Sequence, residues 1–333
     1  MVNDQAFPRR MITIPSVVVA FVVVSLGLPL LLATGLLVDL ARAVVSRRPA
    51  MATRLIVFLW LYLLGEMWAL PALAAAALPG GRRSIDLTYR LQGAWTWWNF
   101  DAMRVVFGLS FSVEGSDAIA PPPIILLSRH ASIVDTLLPA VFVTRAHGIR
   151  LRYVLKRELL VDPALDIAGN RLPNHFVDRG PGGTEPETAA IRSLAEGMTP
   201  GEGVMIYSEG TRYSEEKRVR HTARLVRKGG VIGELAAGLE WVLPPRPGGT
   251  LALLEATTAD VVVLAHRGLE GFARVKDIWS GGLVGSRVEL KFWRVARADV
   301  PDNRSDRVEW LFRLWNEIDV WVGEKRYVAE LDG

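Results

Sequence analysis

The feature that most constrains this chain is a run of 28 consecutive uncharged residues between Arg10 and Asp39. Val, Leu, Ala and Ile make up most of the run, and a helix needs roughly 20 such residues to cross a bilayer core. The apolar part of a secretory signal is shorter, about 7 to 15 residues, and precedes a small-residue cleavage site. The run therefore predicts a retained membrane segment near the N-terminus.

A second apolar stretch, residues 55–81, contains one charge, Glu66, which we expect at a helix bend or a water-filled gap. Together the two stretches predict a hydrophobic helical hairpin, residues 1–83, that anchors the chain. Basic residues flank its loop and its open end alike, so the positive-inside rule does not choose an orientation. Crossing the bilayer and lying in one leaflet both remain open. The flanking residues are Arg9, Arg10, Arg42, Arg47, Arg48, Arg54, Arg82 and Arg83, and the residues able to break the helices are Pro15, Gly27, Pro29 and Pro71.

Residues 84–333 have globular character, with short apolar runs separated by amphipathic stretches. This alternation predicts one α/β domain in which helices flank a central sheet. An aromatic helix precedes the first strand, and its rings suit either the headgroup boundary or the domain core. The predicted strands are 124–127, 151–155, 203–207, 260–265 and 287–292, the predicted helices are 185–198 and 305–323, and the aromatic residues are Trp95, Trp97, Trp98 and Phe100.

Composition excludes several kinds of chemistry. The chain has no cysteine, which excludes disulfides, zinc–thiolate sites and acyl-cysteine intermediates. Its 39 basic and 35 acidic residues leave a net charge of only +4, so we expect no nucleic-acid partner. The histidines show no metal-ligand spacing such as H-E-x-x-H, and we expect no catalytic metal.

The segment most informative about chemistry is residues 128–135, SRHASIVD, which follows a predicted strand. His130 and Asp135 can meet only if His130 lies in the turn after the strand and Asp135 in the first turn of the next helix. A carboxylate bonded to one imidazole nitrogen fixes the tautomer, and the other nitrogen can then take a proton from a hydroxyl. On this spacing alone, a histidine that caps a helix is the alternative.

Further motifs accompany this pair: KREL at residues 156–159, FVDRG at 176–180 and YSEGTR at 207–212. In order and spacing the set resembles the glycerolipid acyltransferase family, whose best-known members are the 1-acylglycerol-3-phosphate acyltransferases. The resemblance covers roughly residues 91–264. The chain departs from the family at Ser208, where a proline often stands, and at residues 261–266, an apolar segment that usually contains a proline.

The resemblance implies a glycerolipid-acyltransferase-like sheet and gives roles to particular residues. His130 would be the catalytic base, and Asp135 would orient and stabilise its imidazolium. Arg179 and Arg212 are planar charged forks suited to a phosphate, and Lys156 would add a point charge. The implied substrate-binding residues are Lys156, Phe176, Arg179, Glu209, Gly210, Thr211 and Arg212.

Within the last motif, Gly210 permits close backbone approach, Thr211 offers a hydroxyl, and Glu209 is expected to hold an arginine or a glycerol hydroxyl. A cationic segment follows this motif. The sequence leaves three alternatives open for what this segment faces: anionic headgroups, the phosphates of coenzyme A, or solvent. Its residues are Lys217, Arg218, Arg220, Arg224, Arg227 and Lys228.

The implied activity is transfer of a fatty acyl group from acyl-CoA or acyl carrier protein to the free hydroxyl of 1-acylglycerol 3-phosphate, which makes phosphatidic acid. No cofactor is expected beyond this thioester co-substrate, and the expected partners are the lysophospholipid acceptor, the thioester donor and membrane lipids. The expected location is the cytoplasmic membrane, with the catalytic domain, residues 84–333, on the cytoplasmic side. Alternatives are a different lysophospholipid or glycolipid acceptor, a thioesterase, and a catalytically dead lipid-binding protein.

Overall fold

The computed structural model describes residues 6–177 and 185–331 of the protein. Seven strands form one sheet in the order β1-β7-β6-β2-β5-β3-β4, with helices on both faces, so the α/β prediction is confirmed. The strands are β1 (Ser110–Glu114), β2 (Ile124–Ser128), β3 (Arg150–Lys156), β4 (His175–Val177), β5 (Glu202–Tyr207), β6 (Asp260–Arg267) and β7 (Arg287–Val295). The helices are α1 (Ala6–Ser46), α2 (Ala52–Ala77), α3 (Gly81–Phe107), α4 (Pro163–Arg171), α5 (Glu185–Ala195), α6 (Glu215–Val226), α7 (Gly230–Ala237), α8 (Pro247–Ala256), α9 (Val275–Ile278) and α10 (Arg304–Leu331).

The central strand β2 explains why this sequence makes a buried sheet. All five of its residues are buried, and its apolar side chains alternate between two cores. Ile124 and Leu126 join a core shared with α3, whereas Ile125 and Leu127 join a core shared with α5, α8 and α10. A parallel strand covered on both faces reads as a continuous apolar run, which is how the sequence predicted it.

Five strand ends meet at one edge of the sheet. Strands β2 to β6 run parallel to one another, while β7 is antiparallel to β6 and β1 is parallel to β7. The five predicted strands are confirmed, and the sequence missed β1 and β4, which are short and lie at the two sheet edges. Ligands of such sheets bind outside the carboxyl ends of the parallel strands.

The two N-terminal helices are continuous. Helix α1 contains Pro15 and Pro29 and helix α2 contains Pro71, so the prolines that were able to break the helices do not interrupt them. A proline removes only one N–H from the ladder, and a long apolar helix tolerates that loss. Both helices are long and apolar enough to cross a membrane. One face of α1 packs against α2, and many of its other apolar side chains are exposed: Leu26 is 81% exposed and Val45 is 83% exposed.

Both ends of α1 contact the α/β unit. Near its start, the Arg9 and Arg10 guanidiniums donate to the buried carboxylate of Asp166 in α4, with the shortest N–O distance 2.7 Å. Near its end, Arg42 donates to the carbonyl of Trp279 at 2.8 Å and stacks on the Trp279 ring. Helix α1 therefore lies across the α/β unit and is held at both ends.

Helices α2 and α3 pack into the same core as the sheet. Phe58 and Phe100 belong to the core that contains β2, and Met51, just before α2, is fully buried in it. Glu66 accepts hydrogen bonds from Trp95 Nε1 at 2.9 Å and from the α4 backbone at 3.1 Å, rather than facing a water-filled gap. The aromatic helix thus packs internally. A division into domains at residue 83 stays a prediction, since the core continues across that position.

Candidate active site

His130 and Asp135 meet in the geometry that their spacing required. His130 lies in the turn after β2, and Asp135 lies in a short 3₁₀ helix, Val134–Leu137. His130 Nδ1 is 2.8 Å from Asp135 Oδ1, and both side chains are buried. Asp135 Oδ2 accepts the backbone N–H groups of Ala131 and Ser132 at 2.6 and 2.7 Å. The loop itself therefore fixes the carboxylate against the ring.

This arrangement determines the imidazole tautomer. Burial would raise the pKa of Asp135, but the imidazoles of His130 and His266 outweigh it and hold that pKa below its usual range. Because an ionised carboxylate can only accept, His130 Nδ1 must carry the proton. The other ring nitrogen, Nε2, then has a free lone pair on a side chain that lines the neighbouring cavity.

Tyr207 is a site residue that the sequence did not identify. Its ring stacks on the His130 imidazole with 4.1 Å between centroids and 24° between planes. Its hydroxyl donates a long hydrogen bond, 3.4 Å, to the Asp135 carbonyl. The available signal was strand register, because Tyr207 ends β5 directly opposite Ser128 at the end of β2. The stacking restricts rotation of the imidazole.

The turn after β5 requires a glycine. Gly210 has φ = +68°, and a Cβ on it would lie 2.9 Å from Arg246 Cδ. Its N–H donates to the Tyr207 carbonyl, and the N–H of Tyr213 donates to the His130 carbonyl at 2.8 Å. The YSEGTR motif, residues 207–212, is thereby joined to the loop that carries His130. Residues 210–212 line the same cavity as His130.

The cavity has a volume of about 1080 Å³ and joins two environments. At its polar end lie His130 and residues 210–212, with cationic side chains around them. The rest of its lining is mainly apolar and comes from several elements, among them α2, α3, α9, the loop after His130 and the sheet. These apolar lining residues include Leu55, Phe58, Met103, Phe107, Ile133, Leu137, Leu155 and Ile278.

The structure brings most of the predicted site residues together. Lys156, at the end of β3, lines the cavity with Gly210, Thr211 and Arg212. Thr211 Oγ1 accepts a hydrogen bond from Lys217 Nζ at 3.0 Å. Phe176 packs against Gly169 in α4, and the cavity wall is formed by its neighbour Val177. Arg179 lies outside the described residues.

The comparisons with known proteins agree with this geometry. A family model described as acyltransferase matches residues 110–261. These residues form an acyltransferase domain. Over 112 residues the chain is 33% identical to the 1-acyl-sn-glycerol-3-phosphate acyltransferase of Pseudomonas aeruginosa, an alignment that spans 33% of this chain and 40% of that relative. The crystal structure of the 1-acyl-sn-glycerophosphate acyltransferase of Thermotoga maritima shares the fold, with a TM-score of 0.54 at 14% identity over 81% of this chain and 96% of that one.

A buried charged network lies behind His130. Arg129 is fully buried and donates to the carbonyls of His266 and Trp241 at 2.5 and 2.9 Å, and it is ion-paired with Glu270. His266 Nε2 lies 3.2 Å from the Arg129 carbonyl and 3.3 Å from Asp135 Oδ2. Since both neighbours are acceptors, Nε2 carries a proton, and Asp135 is held between two imidazoles.

The sequence did not reveal this second imidazole, because His266 is 131 positions from Asp135. It stands two residues beyond Leu264 in β6, and Leu264 pairs with Ser128, two residues before His130. The two histidines are therefore level across the sheet. Within residues 6–177 and 185–331, no group of three His, Asp or Glu side chains is placed to hold a metal ion.

Glu209 of the acyltransferase domain is fully buried behind the His130 backbone. Its Oε1 accepts the His130 N–H at 3.4 Å. Burial raises the pKa of Glu209 to about 8, and the nearby Arg129 only partly offsets this. The side chain is thus placed to support the histidine loop and to face an arginine; its expected contact with a substrate hydroxyl stays a prediction.

The raised pKa of Glu209 predicts a pH-dependent stability. Between pH 4.5 and about 8 the folded state keeps a proton that the unfolded state releases. The free energy of unfolding therefore falls as pH rises through this window. Glu209→Gln keeps the shape but has no proton to lose, so we expect its Tm to fall less than that of the wild type between pH 5 and pH 8. Equal falls, measured in the same detergent, would contradict the assignment of a protonated Glu209.

Proposed function

We propose that the protein transfers an acyl group from a thioester to the free hydroxyl of a lysophospholipid, with 1-acylglycerol 3-phosphate as the acceptor. The observation that carries this proposal is that His130 lines one cavity together with several cationic side chains and a large set of apolar ones. A phosphorylated lipid presents the same two chemistries, an anionic headgroup and an acyl chain, on either side of its hydroxyl. The resemblance to acyltransferases of 1-acyl-sn-glycerol 3-phosphate supports the choice.

In the proposed mechanism, His130 Nε2 accepts the proton of the acceptor hydroxyl as that oxygen attacks the thioester carbonyl carbon. The new C–O bond gives a tetrahedral intermediate, which collapses with cleavage of the C–S bond. The leaving thiolate needs little help because thiols are acidic, and it can take the proton back from the imidazolium. Asp135 stabilises the imidazolium while it exists. No covalent acyl-enzyme is needed.

The acceptor phosphate fits the cationic side chains of this cavity. Arg212 and Lys156 both line the cavity beside His130. Among the described residues, no side chain accepts a hydrogen bond from the Arg212 guanidinium, so this fork remains available for an anion. A guanidinium presents two parallel N–H groups to a phosphate. Arg179 is part of the same proposed set.

The N-terminal helices support a membrane location. The exposed apolar surface of α1 is suited to lipid, and both ends of α1 are bound to the α/β unit. A helix held at both ends on one side cannot cross a bilayer, so we place α1 in one leaflet, parallel to the membrane. The site then opens near the lipids that it uses. The cytoplasmic face of the cytoplasmic membrane is part of the same proposal, since acyl-CoA and acyl carrier protein are cytoplasmic.

An acceptor panel tests the proposed substrate. Purified full-length protein receives isotope-labelled acyl-CoA and one acceptor at a time, and product mass is recorded. Labelled phosphatidic acid from lysophosphatidic acid is the expected main product. A higher rate with a larger-headgroup lysophospholipid or with a glycolipid would replace the proposed acceptor.

Arg212→Lys separates phosphate binding from catalysis. The substitution keeps the charge and removes the bidentate fork, so we expect kcat/KM for lysophosphatidic acid to fall about tenfold. With monoacylglycerol, which has no phosphate, the variant and the wild type should differ much less, if that acceptor is used at all. Arg313→Lys, at an exposed position on α10, is the matched control. Equal losses on both acceptors would show that Arg212 supports the fold or the donor instead.

A further inference from the structure

Helix α6 carries cations along the face that meets the cavity. Lys217, His221 and Arg224 occupy positions i, i+4 and i+7 of α6, and Lys228 lies in the turn that follows the helix. At about 100° per residue the three helical positions fall within about 60° of one another, and they extend over about 10 Å. We call these four residues the α6 basic stripe. The remaining basic residues of the segment lie to its sides.

The α6 basic stripe is continuous with the active-site turn. His221, Arg224 and Lys228 line the cavity that contains His130. Lys217 Nζ donates to Thr211 Oγ1 at 3.0 Å and to the Arg212 carbonyl at 2.8 Å. The stripe therefore begins at residues 211–212 and continues away from them along the cavity wall.

Cations surround the stripe. Burial and then the cations Lys156, Arg212, Arg274 and Arg220 lower the pKa of Lys217. Burial and then Arg246, Arg220, Lys217 and Arg224 lower the pKa of His221. Two acidic residues begin α6: Glu215 is turned to Arg218 and Tyr213, and Glu216 is exposed to solvent. Like charges that converge on a cavity wall repel one another, so a bound polyanion would relieve the repulsion.

We propose that the α6 basic stripe binds the phosphates of a coenzyme A donor. This inference rests on the proposed acyl transfer and adds the site of its donor. The cations near Arg212 are sufficient to bind an acceptor with one phosphate. The stripe provides further cations at a greater distance from Arg212. Coenzyme A carries a diphosphate and a 3′-phosphate separated by a ribose, which matches a line of charges better than a single anion site does. The stripe lines a cavity, and this favours a small molecule over a carrier-protein surface.

Direct binding tests the donor site without requiring turnover. Full-length protein in neutral detergent micelles is titrated with free coenzyme A and with dephospho-coenzyme A, which lacks the 3′-phosphate. We expect the wild type to bind coenzyme A several-fold more tightly than dephospho-coenzyme A. The double variant Arg224→Gln, Lys228→Gln should raise the Kd for coenzyme A at least about tenfold and remove most of this preference.

Arg227→Gln is the matched control, because Arg227 lies beside Lys228 but does not line the cavity. An equal loss of affinity in this variant would overturn the proposal, since it would show a diffuse charge effect. So would an unchanged Kd in the double variant. A second arm measures binding to vesicles of phosphatidylglycerol: if the double variant lost vesicle binding but kept its affinity for coenzyme A, the stripe would be a headgroup site. Absence of acyl transfer by the wild type would count against the proposed function. The coenzyme A titration could still be interpreted, because it measures binding and not turnover.

Discussion

Replacing His130 by alanine is expected to lower kcat by roughly 10² to 10⁴, the usual contribution of a positioned general base. His130 lines the cavity, its Nε2 is left with the free lone pair once Nδ1 bonds Asp135, and no other described imidazole both lines this cavity and contacts a carboxylate. Steady-state rates with acyl-CoA and lysophosphatidic acid give the readout. Because the change removes a buried ring that stacks on Tyr207, Tm should be recorded for the same preparation.

His147→Ala is the control for this experiment, since His147 lies outside the site and has no role in the proposed mechanism. It should retain wild-type rates. If the His130 variant folded normally and kept more than about a tenth of the wild-type kcat, His130 would not be the base.

Asp135→Asn is expected to cause the second large loss, again roughly 10² to 10⁴ in kcat. The asparagine oxygen would still accept the hydrogen bonds from the backbone N–H groups of Ala131 and Ser132. The asparagine NH₂ group would then face His130 Nδ1. A donor at that position favours the tautomer with the proton on Nε2, which removes the lone pair that takes the proton. The ground-state fold should be retained, because the two side chains have nearly the same shape.

The comparison variant is Asp117→Asn, an exposed aspartate near the amino-terminal end of the sheet. It should match the wild type in rate and in Tm. A near-normal rate for Asp135→Asn would mean that the carboxylate serves only to hold the loop, and the role of His130 as a base would lose its support.

The parts of this structure that are encoded locally could be predicted from the sequence. Residues 124–127 were recognisable as a buried strand because four consecutive apolar residues are bounded by turn signals. The five-residue spacing allowed a contact between His130 and Asp135 only across a strand–turn–helix junction, and the accompanying motifs favoured that contact over a histidine that caps a helix. The family resemblance identified residues 210–212 as site residues. Strand order explains why they lie near His130: β2 and β5 are adjacent and parallel.

Contacts between distant segments were not predictable in the same way. His266 reaches Asp135, and Tyr207 stacks on His130, only because the registers of β6 and β5 with β2 place them level. A single sequence gives strand positions but not register, and a one-residue slip would turn each side chain to the other face. Arg129, for which the sequence predicted no role, is the fully buried centre of a charged network.

The N-terminal region shows the limit of hydropathy. Apolar length identified α1 and α2, but it could not show that α2 and α3 supply walls of the cavity through residues such as Phe58 and Met103. Nor could it show that Arg9, Arg10 and Arg42 fasten α1 to the α/β unit. Flanking arginines read as membrane-boundary residues in a sequence, whereas here they bind a buried carboxylate and a backbone carbonyl.

The central claim is that His130 activates an acceptor hydroxyl rather than water, and thiol release reports on it most directly. Release of free coenzyme A from acyl-CoA by purified full-length protein is followed with and without lysophosphatidic acid, in wild type and His130→Ala. Our account predicts release that depends on the acceptor, is matched mole for mole by phosphatidic acid, and is lost in the variant. Release at the same rate without acceptor, with free fatty acid as the product, would contradict it and identify a thioesterase.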